Sequence, residues 1–139
     1  MKLLELFVLL ATSVICIGQE GVCVLHVESP NYPDLARQAQ LSGTVTVTVT
    51  IEERGGVTST KASGPRLLKE EAERNIRTWI FSKGATGQLE IVYEFRLTEP
   101  KVSYRPAPEV QFDLPRRVTI TSHAPIPIRD GVVLKPKEK

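Results

Sequence analysis

The chain has 139 residues, 41% of them hydrophobic and 24% charged, which fits one small domain of ordinary globular composition with modest tails. A formal net charge of +2, with no basic run longer than a pair such as Arg116 and Arg117, is too near neutral to imply a nucleic-acid or membrane-surface partner by electrostatics alone. The two cysteines, Cys16 and Cys23, are separated by the end of an apolar leader, so the mature chain is expected to fold without an internal disulfide, with Cys23 a small buried hydrophobe.

Lys2 precedes an apolar run from Leu6 to Ile17 that is short for a membrane span of about 20 residues. Residues 1–18 therefore read as a signal peptide, with a short uncleaved anchor as the alternative and a mature start near Gln19. Export puts the chain in the periplasm or elsewhere in the cell envelope.

Val22 to Ser29 is rich in β-branched residues and roughly alternating, a short strand with Cys23, Leu25 and Val27 on one side. Ser29, Pro30, Asn31, Tyr32 and Pro33 break it, because prolines cannot donate to a ladder. Pro33 suits a first helical position and Asp34 the positive end of a helix dipole. A short helix follows, with Leu35, Ala36 and Ala39 along its apolar side, and Gly43 is placed to end it.

From Thr44 the period changes to two. Val45, Val47, Val49 and Ile51 face one way and Thr44, Thr46, Thr48 and Thr50 the other, the strongest strand pattern in the chain. The turn Glu53 to Gly56 leads into a more polar strand, VTSTKA, so the two form a hairpin. Ser63 to Phe81 reads as a second helix, entered through Gly64 and Pro65, with Leu68, Ala72, Ile76, Trp79 and Ile80 as a buried stripe. Its other face carries Glu70 before Arg74 and Glu73 before Arg77 at the favourable spacing.

After the loop Ser82 to Gly87 comes a strand with Leu89, Ile91, Tyr93, Phe95 and Leu97 on one face and Glu90, Val92, Glu94 and Arg96 on the other. The order strand, helix, hairpin, helix, strand makes an α+β fold, two helices packed on one face of a small antiparallel sheet, over residues 22–98. Beyond it, residues 99–139 form a Pro-rich extension in which VQFDL and RVTIT are short edge strands and the last residues a basic tail.

The pieces Tyr32-Pro33 with Ala36, SGTVTVTVTI, GGVTSTKASGPRLL, TWIF and IVYEFRL, in that order over about Pro30 to Leu97, resemble the TonB C-terminal domain family. The resemblance implies a periplasmic module of TonB-dependent transport that recognises a protein partner by β-augmentation, in which a partner segment adds a strand to a sheet edge. By position, the implied pairing strand is Leu89, Glu90, Ile91, Val92, Tyr93, Glu94, Phe95, Arg96 and Leu97, and the implied motif near the partner's entry is Ser29 to Pro33. The partner so implied is an envelope protein such as a TonB-dependent outer-membrane transporter, with homodimerisation by strand exchange left open. The short apolar leader, without histidine, and the short stretch between it and the domain depart from the anchor and long linker of an energy transducer, so the resemblance supports the way of binding and not the full energy-transducing role. The alternative is a self-contained structural module whose own extension covers the free sheet edge.

Nothing in the pattern points to catalysis. His26 and His123 are the only histidines, one read as a surface strand residue and the other as a loop residue, and no metal spacing, nucleophile elbow or redox pair is present. Glu70, Glu71 and Glu73 read as solvated helix charges. No cofactor, metal, nucleic acid or small-molecule substrate is expected.

Overall fold

The computed structural model of the chain describes residues 21–100, 107–126, 128–129 and 132–133; the expected signal peptide and basic tail lie outside these residues. In chain order the elements are β1 (Val24–His26), α1 (Asp34–Gln38), β2 (Gly43–Ile51), β3 (Val57–Ser63), α2 (Arg66–Ile76), β4 (Ile80–Phe81), β5 (Gly87–Thr98), β6 (Glu109–Asp113), β7 (Arg117–His123), β8 (Ile128–Arg129) and β9 (Val132–Val133). The main sheet has five strands in the order β3-β2-β5-β7-β6, and β1-β4 and β8-β9 form two small ribbons.

The alternation in β2 does what a period of two requires: Val45, Val47 and Val49 are fully buried, while the threonines between them stay partly open to solvent on the other face. β2 pairs antiparallel with β3 on one side and β5 on the other, with Val47 opposite Ala62 and Ile91. The same face of β5 adds Leu89, Ile91, Tyr93 and Phe95, and α2 lays Leu68, Ala72 and Ile76 across it. Each fully buried aliphatic side chain contributes about 1.5–3 kcal/mol. The turn between β2 and β3 presses on β4: a Cβ on Gly55, whose φ is +91°, would lie 2.0 Å from the Phe81 carbonyl oxygen.

Several expectations are corrected. α1 is only five residues long and presents one buried side chain, Ala36; Leu35 is 65% exposed and Ala39 is also exposed, and Tyr32, just ahead of the helix, fills the space instead. Gln40, with φ +53°, takes the reversal assigned to Gly43, and the Leu41 N–H closes the helix end on the Ala36 carbonyl at 2.8 Å. α2 stops at Ile76, where the Thr78 hydroxyl and N–H both bond the Asn75 carbonyl and draw that chain end into a tight turn. Ile80 then pairs with His26 across the β1-β4 ribbon and is 46% exposed, so it leaves the apolar stripe. β1 is shorter than expected and irregular between Val24 and His26, which turns Leu25 outward. Cys23 is buried but disulfide-bonded, against the expectation of a lone thiol.

The largest departure is in the extension. β6 and β7 match the two expected strands, yet β7 is an inner strand, running parallel to β5 from Val92 opposite Arg117 to Thr98 opposite His123. Arg116 to His123 is free of proline, so nothing prevents a full ladder there. Val118 and Ile120 are completely buried in the same core as the β2 valines, and Phe112 of β6 packs edge-on to Trp79 with ring centroids 6.4 Å apart.

Candidate functional site

The segment Ser29 to Pro33 is held by the polar half of α2. Leu68, Glu71, Ala72, Asn75 and Ile76 are all buried, so two polar residues share the inner stripe of the helix with the apolar ones. The Asn75 side-chain amide donates to the Glu28 carbonyl at 2.7 Å, while its oxygen accepts from the Trp79 indole N–H at 3.0 Å and the Tyr93 hydroxyl at 2.9 Å. Glu71 accepts the Asn31 backbone N–H at 2.7 Å and is also bonded by the Arg74 guanidinium. Glu71 is thus a buried anchor, not the solvated charge its neighbours suggest. The signal lay in the spacing, since 68, 71, 72, 75, 76 and 79 trace one helical face.

Within the segment, Pro30 and Tyr32 are buried, and Ser29 and Asn31 are exposed. The Tyr32 ring meets Phe95 of β5 edge-on at 5.5 Å, and its hydroxyl donates to the Leu41 carbonyl at 2.6 Å. Burial pushes the Tyr32 phenol up to about 12, and burial raises Tyr93 further still. The structure therefore brings the Ser29 to Pro33 segment and β5 together, through Tyr32 and Phe95.

β5 itself is not a free edge over most of its length. One side pairs with β2 from Gly87 to Phe95, and the other with β7 from Val92 to Thr98. Among the described residues, only its first part, Gly87 to Ile91, lacks a strand on the β7 side. Glu90, Val92, Glu94 and Arg96 lie on the face away from the core as expected, with Arg96 paired to Glu94 at 2.8 Å and Arg117 reaching Glu94 at 3.8 Å. Such exposed pairs contribute about 0–1 kcal/mol each.

The outermost strands are β3, which is polar, and β6. Backbone direction on β6 follows from the Val92 N–H, which donates to the Arg116 carbonyl at 2.8 Å. Alternation then points the even-numbered residues of β7 at β5 and the odd-numbered ones at β6. Glu109, Gln111 and Asp113 bond back to β7, and the N–H and C=O groups of Val110 and Phe112 point outward. Beside this edge, between the start of β1 and the end of β6, lies a cleft of about 290 Å³ lined by Val22, Cys23, Val24, Phe112, Asp113, Leu114 and Pro115.

Chemistry of other kinds finds little footing. Among the described residues there is no group of three or more His, Cys, Asp or Glu placed to hold a metal, and no helix long and apolar enough to cross a membrane. His123 ends β7 and is not a loop residue; its Nδ1 lies 2.6 Å from the Thr98 hydroxyl, a contact that ties the ends of β5 and β7 together.

No curated protein matches this sequence. Among solved structures, the chain is similar to the solution NMR structure of the Pseudomonas aeruginosa TonB C-terminal domain, at 20% identity and a TM-score of 0.43, covering 66% of this chain and 95% of that one. The family described as the Gram-negative bacterial TonB protein C-terminal region matches residues 28–97, which takes in the Ser29 to Pro33 segment, both helices and β5 up to Leu97. That family is a non-catalytic transport module of the cell envelope whose members interact with outer-membrane transporters. Half the chain, from the α2-clamped turn to the last core residue of β5, carries that family's pattern: the protein belongs to the TonB C-terminal domain family.

Proposed function

We propose that this protein is an exported envelope module that binds a protein partner by strand addition to its sheet, with its own β6-β7 hairpin occupying much of the β5 side where the family resemblance would seat a partner. The observation that carries this reading is the seven-residue parallel ladder from Val92 to Thr98, which closes that side of β5 from within the chain. Family membership supports a protein partner in the envelope, and backbone hydrogen bonding at a sheet edge is a way to recognise one that needs no particular side chain. A partner reaching for β5 meets β7 already in place, so pairing there is confined to Gly87 to Ile91 or requires the hairpin to leave.

The closed ladder also favours a second reading, in which the extension makes the domain a self-contained structural module without a transport partner. Both are tested by cross-linking the full chain in envelope extracts and mapping the linked residues, for wild type and for Glu94→Pro. The substitution breaks the β5-β7 ladder, because the Glu94 N–H, like that of Val92, points at β7, and Trp79 fluorescence reports whether the core survives. Strand addition predicts partners cross-linked along a strand edge and lost in the variant. The same partners recovered by a folded Glu94→Pro protein would remove β5 as the pairing strand, and no specific partner at all would leave the self-contained module.

A further inference from the structure

We infer that the outer edge of β6 is a docking edge for an extended segment of a partner protein, one that carries two basic residues four positions apart and a large apolar residue beside one of them. The inference rests on the strand-addition reading and names the edge and the chemistry of the segment. Two observations define the site. The outward N–H and C=O groups of Val110 and Phe112 have no partner strand among the described residues, so the edge offers the donors and acceptors of a ladder. The 290 Å³ cleft against Phe112, walled by Val22, Val24, Leu114 and Pro115, opens beside the same edge and is sized for one or two side chains.

Charge sets the occupant. Glu109, Gln111 and Asp113 are exposed on the outer face of β6, and neither carboxylate makes an ion pair among the described residues. A strand laid along β6 places residues opposite Glu109 and Asp113 on that outer face, four positions apart. The residue opposite Phe112 falls on the other face, toward the cleft. The complementary segment therefore reads basic, apolar, any residue, small apolar, basic. β3, the opposite edge, presents Lys61, whose charge opposes a basic segment, which makes it the weaker candidate.

The test uses the full chain and a capped synthetic peptide with lysine, leucine, threonine, valine and lysine in succession, flanked by threonines. Its controls are a peptide with both lysines replaced by glutamate and one with leucine replaced by alanine. Binding is followed by fluorescence anisotropy and by amide chemical-shift mapping. The lysine peptide is expected to shift the amides of Val110, Phe112 and Val22 to Val24, and the glutamate peptide to bind at least about tenfold more weakly at low salt. Val110→Pro is the key variant, because the Val110 N–H points away from β7; a proline there spares the β6-β7 ladder and removes the outward donor. It should stay folded, as Trp79 fluorescence reports, with some loss of stability from the Val110 side chain that packs on the core, and weaken the peptide about tenfold or more.

Equal binding by a folded Val110→Pro protein, equal binding of the lysine and glutamate peptides, absence of binding, or shifts confined to Gly87 to Ile91 would each overturn the inference. The two readings fail separately: envelope cross-links lost in Glu94→Pro but retained in Val110→Pro would leave strand addition standing and remove β6 as its edge.

Discussion

Residues 28–97 and residues 109–123 share one sheet and one core but are put together differently. In the first region, β2 pairs with β3 through a short turn, and two helices cover the valine face. The second region has no helix among its described residues; it places β7 in parallel beside β5, reached from Thr98 only after the chain has passed through β6. Parallel neighbours need a crossing connection, so the identity of the partner strand is not written next to either sequence. A segment outside the family pattern can thus contribute fully buried residues, as Val118 and Ile120 do.

Ending the chain at Thr98 should separate the two regions most strongly. The truncation removes Val118 and Ile120 and uncovers one side of β5. At about 1.5–3 kcal/mol for each lost side chain, the expected loss is about 3–6 kcal/mol, against roughly 5–15 kcal/mol for a whole domain. A melting temperature unchanged by the truncation would mean that the extension is only appended to the family core.

Asn75→Ala probes the first region alone. It strips the buried Trp79 N–H and Tyr93 hydroxyl of their shared acceptor and releases the Glu28 carbonyl. Each of the two buried donors left unpaired costs about 1–3 kcal/mol, so a loss of about 2–6 kcal/mol is expected in urea unfolding, at or below that from truncation. Cross-links from Ser29 to Pro33 should also become less specific as that segment loosens.

The pH response is smaller and tests both regions at once, since β7 helps to bury Tyr93 on β5. Tyr32, from an ordinary value of 10.0, is pushed up to about 12, and Tyr93 is raised as well, both chiefly by burial. The folded state therefore keeps phenolic protons that the unfolded chain releases above pH 10, so stability is present in full below pH 10 and falls as pH rises toward 12. Urea midpoints between pH 9 and 11.5 should decline, and Tyr32→Phe should flatten the slope. At the small end stands Arg66→Ala: the Arg66–Glu70 pair is 86% and 59% exposed, and its removal should shift stability by no more than about 0.5 kcal/mol.

The sheet face was legible in the sequence where side chains alternate. Val45 to Ile51 and Leu89 to Phe95 are buried along the faces their patterns assign. Glu71 and Asn75 were less visible, because their polarity reads as exposure until Asn31 and Trp79 come within hydrogen-bonding distance. Leu35 and Ile80 misled in the other direction, being apolar residues on elements too short to turn every side chain inward.

By itself the sequence determined the local elements, the buried face of each long strand, and membership of the TonB C-terminal domain family, because periodicity and turn residues act through near neighbours. Only the tertiary structure decided which edges of the sheet are open. Pairing between β5 and β7 joins residues 25 positions apart in the chain, Val92 to Arg117, through backbone groups that every residue except proline carries alike, and such a choice leaves no mark in side-chain pattern.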